Sequence, residues 1–194
     1  MVRIVLIHPG STDYDDQGRI QGTLDIPLNE QGTQEVKRMI EDLRPLEIAA
    51  IYCGPSQAAV ETATAISEAL GTKLKQLDTL QNLDHGLWQG MLIEDVKRKQ
   101  PKVYRGWQEQ PSTICPPEGE TLSSAQERIQ AALTKILKKH KEGTLAIVAP
   151  EPLASVIHGY LLHCEVSDLW KGGEVCGKWE AITLEPETLV PSES

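Results

Sequence analysis

The sequence predicts an α/β protein, a three-layer α/β/α arrangement around a mostly parallel central sheet. Two observations carry this. Short, β-branched apolar runs of strand length alternate with segments whose apolar residues recur at helical spacing. The runs end on proline- or glycine-containing turns, as strands buried on both faces do before crossing to a helix. With 194 residues, the chain has the length of one domain with a sizeable core. No internal repeat, low-complexity block or linker divides it, so residues 1–185 form a single domain. Residues 186–194, polar and proline-containing, are expected to form a flexible tail.

Val2 to Ile7 is the first strand, stopped by Pro9-Gly10. Val36, Met39, Ile40 and Leu43 mark a helix over Thr33 to Leu43, between Gly32 and Pro45. Ile48 to Cys53 is a strand closed by Gly54-Pro55. Ser56 then caps an alanine-rich helix that runs to Leu70 and ends at Gly71. Lys73 to Leu77 has the length of a short strand, and Ile93 to Gln100 reads as a brief helix ended by Pro101. The prolines and turn residues of 101–119 predict a long ordered loop or lid. Ile129, Leu133, Ile136 and Leu137 give Leu122 to Lys141 the longest helical stripe, closed by Gly143. Thr144 to Ala149 is a strand ended by Pro150-Glu151-Pro152. Leu153 to Leu162 is a helix and Lys178 to Leu184 a last strand.

Composition narrows the function. A net charge of −9 opposes nonspecific binding to nucleic acid and to anionic membranes, and is a poor background for capturing phosphorylated molecules. Cys53, Cys115, Cys164 and Cys176 are widely spaced, which supports neither a disulfide framework nor a zinc site. The apolar start has the length of a strand, and no run approaches the ~20 apolar residues of a membrane span. A cytoplasmic protein is the expectation.

In an open α/β sheet, ligands bind beyond the carboxyl ends of the strands. Those ends read Leu6-Ile7-His8-Pro9-Gly10-Ser11-Thr12, Ile51-Tyr52-Cys53-Gly54-Pro55 and Ala149-Pro150-Glu151-Pro152. Between the first and the last of them, in order, are Asp15, Arg19-Ile20-Gln21-Gly22, Asp25-Ile26-Pro27-Leu28, Gly32, Ala58-Ala59, Glu61-Thr62-Ala63, Leu80-Gln81-Asn82, Gly86-Leu87-Trp88-Gln89-Gly90, Trp107, Pro111 and Pro117-Glu118-Gly119-Glu120. In order and spacing this resembles the histidine phosphatase superfamily, with its phosphoglycerate mutase-like fold, over roughly residues 3 to 184.

The resemblance implies a chemistry that the residues do not supply. Family members attack phosphorus with a histidine. Two arginines and a second histidine stabilise the transferring group, and a carboxylic acid protonates the leaving oxygen. The first arginine aligns with His8 and the nucleophile with Pro9. The second arginine aligns with Ala58, the acid with Asn82 and the second histidine with Pro150. Proline carries neither an ionisable side chain nor a backbone donor. Alanine cannot hold a phosphate, and asparagine cannot cycle a proton near neutral pH.

Arg19, His8, Cys53 and Asn82 are left as a residual pocket. Arg19 reads equally as a structural arginine of the loop. His8 would be a displaced nucleophile only under an alignment slip, and a strand-end histidine with a hydrogen-bonded role is the plainer reading. Cys53 would need electropositive neighbours to be reactive. Asp84-His85 adjacency hints at an acid–base pair, although consecutive side chains usually diverge. His158 and His163 read as helix-face residues, and His140 suits a helix C-terminus. Trp88, Trp107, Trp170 and Trp179 read as core or lid anchors.

The expectation is therefore a catalytically inactive histidine phosphatase-like protein with a binding or regulatory role, without cofactor or metal. Its partner is an unidentified protein or small molecule, and the family's habit of pairing leaves a homodimer open. The alternative is a weak or altered phosphoryl-transfer enzyme on the same scaffold.

Overall fold

The computed structural model describes residues 1–170 and 172–184; the expected tail lies outside them. Among these residues five strands form one sheet: β1 (Val2–Ile7), β2 (Ile48–Cys53), β3 (Lys73–Gln76), β4 (Gly143–Val148) and β5 (Trp179–Leu184), in the order β3-β2-β4-β1-β5. All neighbours run parallel except β5, which pairs antiparallel with β1. Among the described residues seven α-helices accompany them: α1 (Asp13–Asp16), α2 (Glu30–Leu43), α3 (Gln57–Leu70), α4 (Ile93–Lys99), α5 (Pro101–Glu109), α6 (Leu122–Lys139) and α7 (Leu153–Leu162).

Period-two alternation along the central strands builds two cores. Ile4, Leu6, Tyr52, Leu145 and Ile147 face α6 and α7. Val5, Ile7, Ile51, Ala146 and Val148 face α2 and α3. The sheet is thus covered on both sides, and its inner strands are apolar on both faces, as the sequence predicts. At one edge, β3 carries Lys73 and Lys75, charges that discourage pairing with another chain.

One prediction fails between residues 101 and 119. Pro101 ends α4, as expected, but it also opens α5 as its first residue, where a missing N–H costs nothing. Trp107, fully buried, roots α5 in the core. The long loop or lid therefore contains a packed helix and a 3-10 turn over Pro111–Thr113.

Candidate active-site cavity

The carboxyl ends of β1 and β4 open into a cavity of about 60 Å³. Backbone bonds set the first wall: His8 N–H donates to the Lys178 carbonyl at 2.9 Å, and the Pro9 carbonyl accepts from Gly177 at 2.8 Å. Gly10 and Gly32 touch backbone to backbone; a Cβ on Gly10 would collide with the carbonyl of Gly32. The start of α2 can therefore lie directly under this turn. Thr12 caps α1 in a reciprocal box with Asp15, whose Oδ2 accepts from the Thr12 N–H at 2.8 Å and hydroxyl at 2.7 Å.

Arg19 lines the cavity, but its guanidinium is engaged in the fold. Nε donates to Gln17 at 2.7 Å and one terminal nitrogen donates to the Gly90 carbonyl at 2.7 Å. Across the cavity, His8 Nδ1 lies 3.7 Å from Glu151 Oε1, and both side chains are largely buried. The other Glu151 oxygen accepts from the Ser155 hydroxyl at 2.7 Å. Pro9, Ala58, Pro150 and Pro152 complete this end, while Ile20, Ile93, Leu169 and Trp170 form apolar wall.

Two of the expected pocket residues lie elsewhere. Cys53 is fully buried in the core under α2 and α3, and burial pushes its thiol up to about 11. Its strand is apolar on both faces, so the sequence pattern does not say which face a terminal residue takes. Asn82 does not border the cavity; it cross-braces the loops behind it. Its amide nitrogen donates to the carbonyls of Gly22 (3.1 Å) and Glu151 (2.9 Å). Its oxygen accepts from the N–H groups of Leu83 (2.9 Å) and Leu153 (3.2 Å). Two donors and two acceptor sites are all an asparagine amide has, so none is left for a ligand.

Sequence reasoning undervalued His85. It is 4% exposed, meets Trp107 edge-on at 5.5 Å between ring centroids, and borders the cavity. Burial lowers its pKa to about 4 against a raising influence from Asp84, so the ring is neutral at pH 7. Its Nδ1 is buried without a hydrogen-bond partner. Asp84 turns away and caps the Gly86 N–H at 2.8 Å, so the two residues form no acid–base pair. Cys176 also lines the cavity, its thiol pushed up by burial and by the charge of Asp15. Nothing in the pattern around Trp170 and Cys176 marks them as cavity residues.

The other histidines serve the scaffold. His140 caps α6 and meets the Tyr52 hydroxyl at 2.8 Å, His158 lies 3.6 Å from Glu180, and His163 ends α7 in a left-handed conformation. Trp88, Trp107 and Trp170 pack on one another, with Tyr104 stacked on Trp170 at 5.3 Å. Among the described residues, no group of three His, Cys, Asp or Glu side chains is placed to hold a metal ion. No helix among them is long and apolar enough to cross a membrane.

The model of the histidine phosphatase superfamily (branch 1) matches residues 4–188. Phosphoserine phosphatase 1 of Hydrogenobacter thermophilus is 30% identical over 95% of this chain and 88% of its own length. A bifunctional protein of Mycobacterium tuberculosis is 29% identical over 76% of this chain, which spans 40% of that longer protein. Among solved structures, a mycobacterial glucosyl-3-phosphoglycerate phosphatase in complex with VO3 superposes with a TM-score of 0.86 at 22% identity, covering 96% of this chain and 93% of that one. The chain belongs to the histidine phosphatase superfamily.

Proposed function

Within that superfamily, we propose that this chain is a catalytically silent member that works as a binding or regulatory module. One observation carries the reading: prolines 9 and 150 and Ala58 stand around the cavity at the positions that the family resemblance aligns with the nucleophile, the second histidine and an arginine. Proline has no nitrogen able to attack phosphorus. A phosphoryl group would meet the carboxylates of Asp15 and Glu151 and a guanidinium already tied to Gly90. Losing one preorganised donor alone commonly costs ~10²–10³ in rate. Asn82, aligned with the family acid, has its whole amide engaged with the backbone.

A second reading keeps weak or altered phosphatase chemistry, and the relatives favour it. Those at 30% and 22% identity are named phosphatases of phosphoserine and glucosyl-3-phosphoglycerate. His8, held beside Glu151, would then be the nucleophile. A hydrolysis assay on a panel of phosphomonoesters, phosphoserine included, separates the two. The silent reading expects release of phosphate no faster for the wild type than for His8→Ala. Turnover that His8→Ala abolishes would establish the second reading instead.

A further inference from the structure

The cations of this acidic chain gather at one corner of the sheet. The last turns of α6 hold Lys135, Lys138 and Lys139, and His140 and Lys141 follow directly. The edge strand β3 contributes Lys73 and Lys75. Side-chain contacts join the two elements through β2. Lys75 is the register partner of Tyr52, and its ammonium lies 5.5 Å from the centre of that ring. The Tyr52 hydroxyl meets Nε2 of His140 at 2.8 Å, and the two rings meet edge-on with centroids 5.9 Å apart. Tyr52 is buried, so the position of its ring is fixed. Lys139 continues the stripe of Ile129, Ala132, Leu133 and Ile136 at helical spacing, and its ammonium reaches that of Lys75.

Two ammonium groups and an imidazole thus converge without a carboxylate. No ion pair among the described residues involves Lys75, Lys139 or His140. Charges of one sign at such range repel. Contact with Lys75, and then its charge, lowers the pKa of Lys139. Burial, followed by the charges of Lys75 and Lys139, lowers that of His140. Exposed lysines ordinarily swing apart to relieve this repulsion. Here Lys75 is half-buried on the strand beside the Tyr52 ring, and Lys139 leaves the helix on its inward stripe. A negative group between them would turn each repulsion into attraction.

A tetrahedral dianion suits this geometry better than a single carboxylate. It carries twice the charge and has oxygens for several donors, and lysines act on it as point charges. We infer that the ammonium groups of Lys75 and Lys139 hold a doubly charged tetrahedral oxyanion, a phosphate or sulfate group, beside His140. The net charge of −9 does not forbid this, because at physiological salt a charge more than about 8 Å away is largely screened. None of the three residues lines the cavity, so the site stands apart from the reading of the cavity as catalytically silent.

The test uses the whole chain with labelled histidine rings, followed by NMR, and inorganic sulfate as the probe, since sulfate stays doubly charged wherever histidine titrates. Sodium chloride holds the ionic strength at about 0.1 M, so that screening is the same throughout. The expected result is a saturable shift of the His140 ring nitrogens, a rise in the pKa of His140 with bound sulfate, and no shift at His163. A variant carrying both Lys75→Met and Lys139→Met should bind at least about tenfold more weakly. Its His140 should titrate higher without any anion. Lys139→Glu should pair with Lys75 in place of the anion and abolish the response. Inorganic phosphate and methylphosphonate, compared in the same way, tell a free ion from a group borne on carbon by which of them binds more tightly. A His140 ring that sulfate does not shift saturably would overturn the inference, as would an equal shift in the folded double variant.

Discussion

Both amide protons of Asn82 point at backbone carbonyls, and its oxygen receives two backbone N–H groups. An aspartate there would keep the acceptor but face two carbonyl oxygens with a charge. Asn82→Asp should therefore destabilise the fold by about 2–3 kcal/mol at pH 7, measured by urea unfolding. The buried carboxyl would have a raised pKa, so the penalty should shrink as pH falls and the group takes up a proton. The same residue shows a limit of reading a site from its type. An asparagine aligned with an acid signals a lost proton donor, but four backbone partners from three separate loops cannot be seen in one chain. His85 contributes in the opposite sense to a paired histidine. Its folded pKa of about 4 lies below the ordinary 6.5, so both states are neutral above pH 6.5 and it has no effect there. Between pH 6.5 and 4 the unfolded chain takes up a proton that the folded one refuses, and stability falls by up to about 1.4 kcal/mol per pH unit. His85→Phe should flatten this part of the stability–pH curve relative to wild type, with unfolding midpoints as the readout.

Helix α5 owes its position to one side chain. Trp107 is fully buried among Trp88, Trp170 and His85, and its indole nitrogen has no hydrogen-bond partner. Trp107→Ala should cost about 3–5 kcal/mol and expose residues 101–119 to limited proteolysis. Trp107→Phe should cost less than Trp107→Ala, because both remove the unsatisfied donor but Phe leaves the smaller cavity. Most elements were legible. The stripes of Val36, Met39, Ile40 and Leu43 and of Ile129, Leu133 and Ile136 are buried as read, and Leu153–Leu162 is helical between the predicted bounds. The exception is instructive. The sequence pattern marks Pro101 only as a stop, whereas proline at a first helical position ends one helix and begins another. The dense turn residues from Pro111 to Gly119 hid the short helix before them.

At the scale of the molecule, alternation of strands and helices and the carboxyl-end rule located the cavity, because both follow from chain topology. Its near wall, from His8 to Arg19, was legible for the same reason. Its far wall was not: Leu169, Trp170 and Cys176 reach it from a stretch without periodicity, brought back by the antiparallel strand β5. In the silent reading proposed above, a familiar scaffold surrounds a cavity where Pro9, Pro150 and Ala58 stand at the positions that the family resemblance aligns with the nucleophile, the second histidine and an arginine. Mass spectrometry of the intact chain, quenched at short times after mixing with a reactive phosphomonoester, tests this most directly. The expected result is an unmodified mass at every time point. A transient adduct of one phosphoryl group, mapped to His8 or to any other histidine of the cavity, would contradict it.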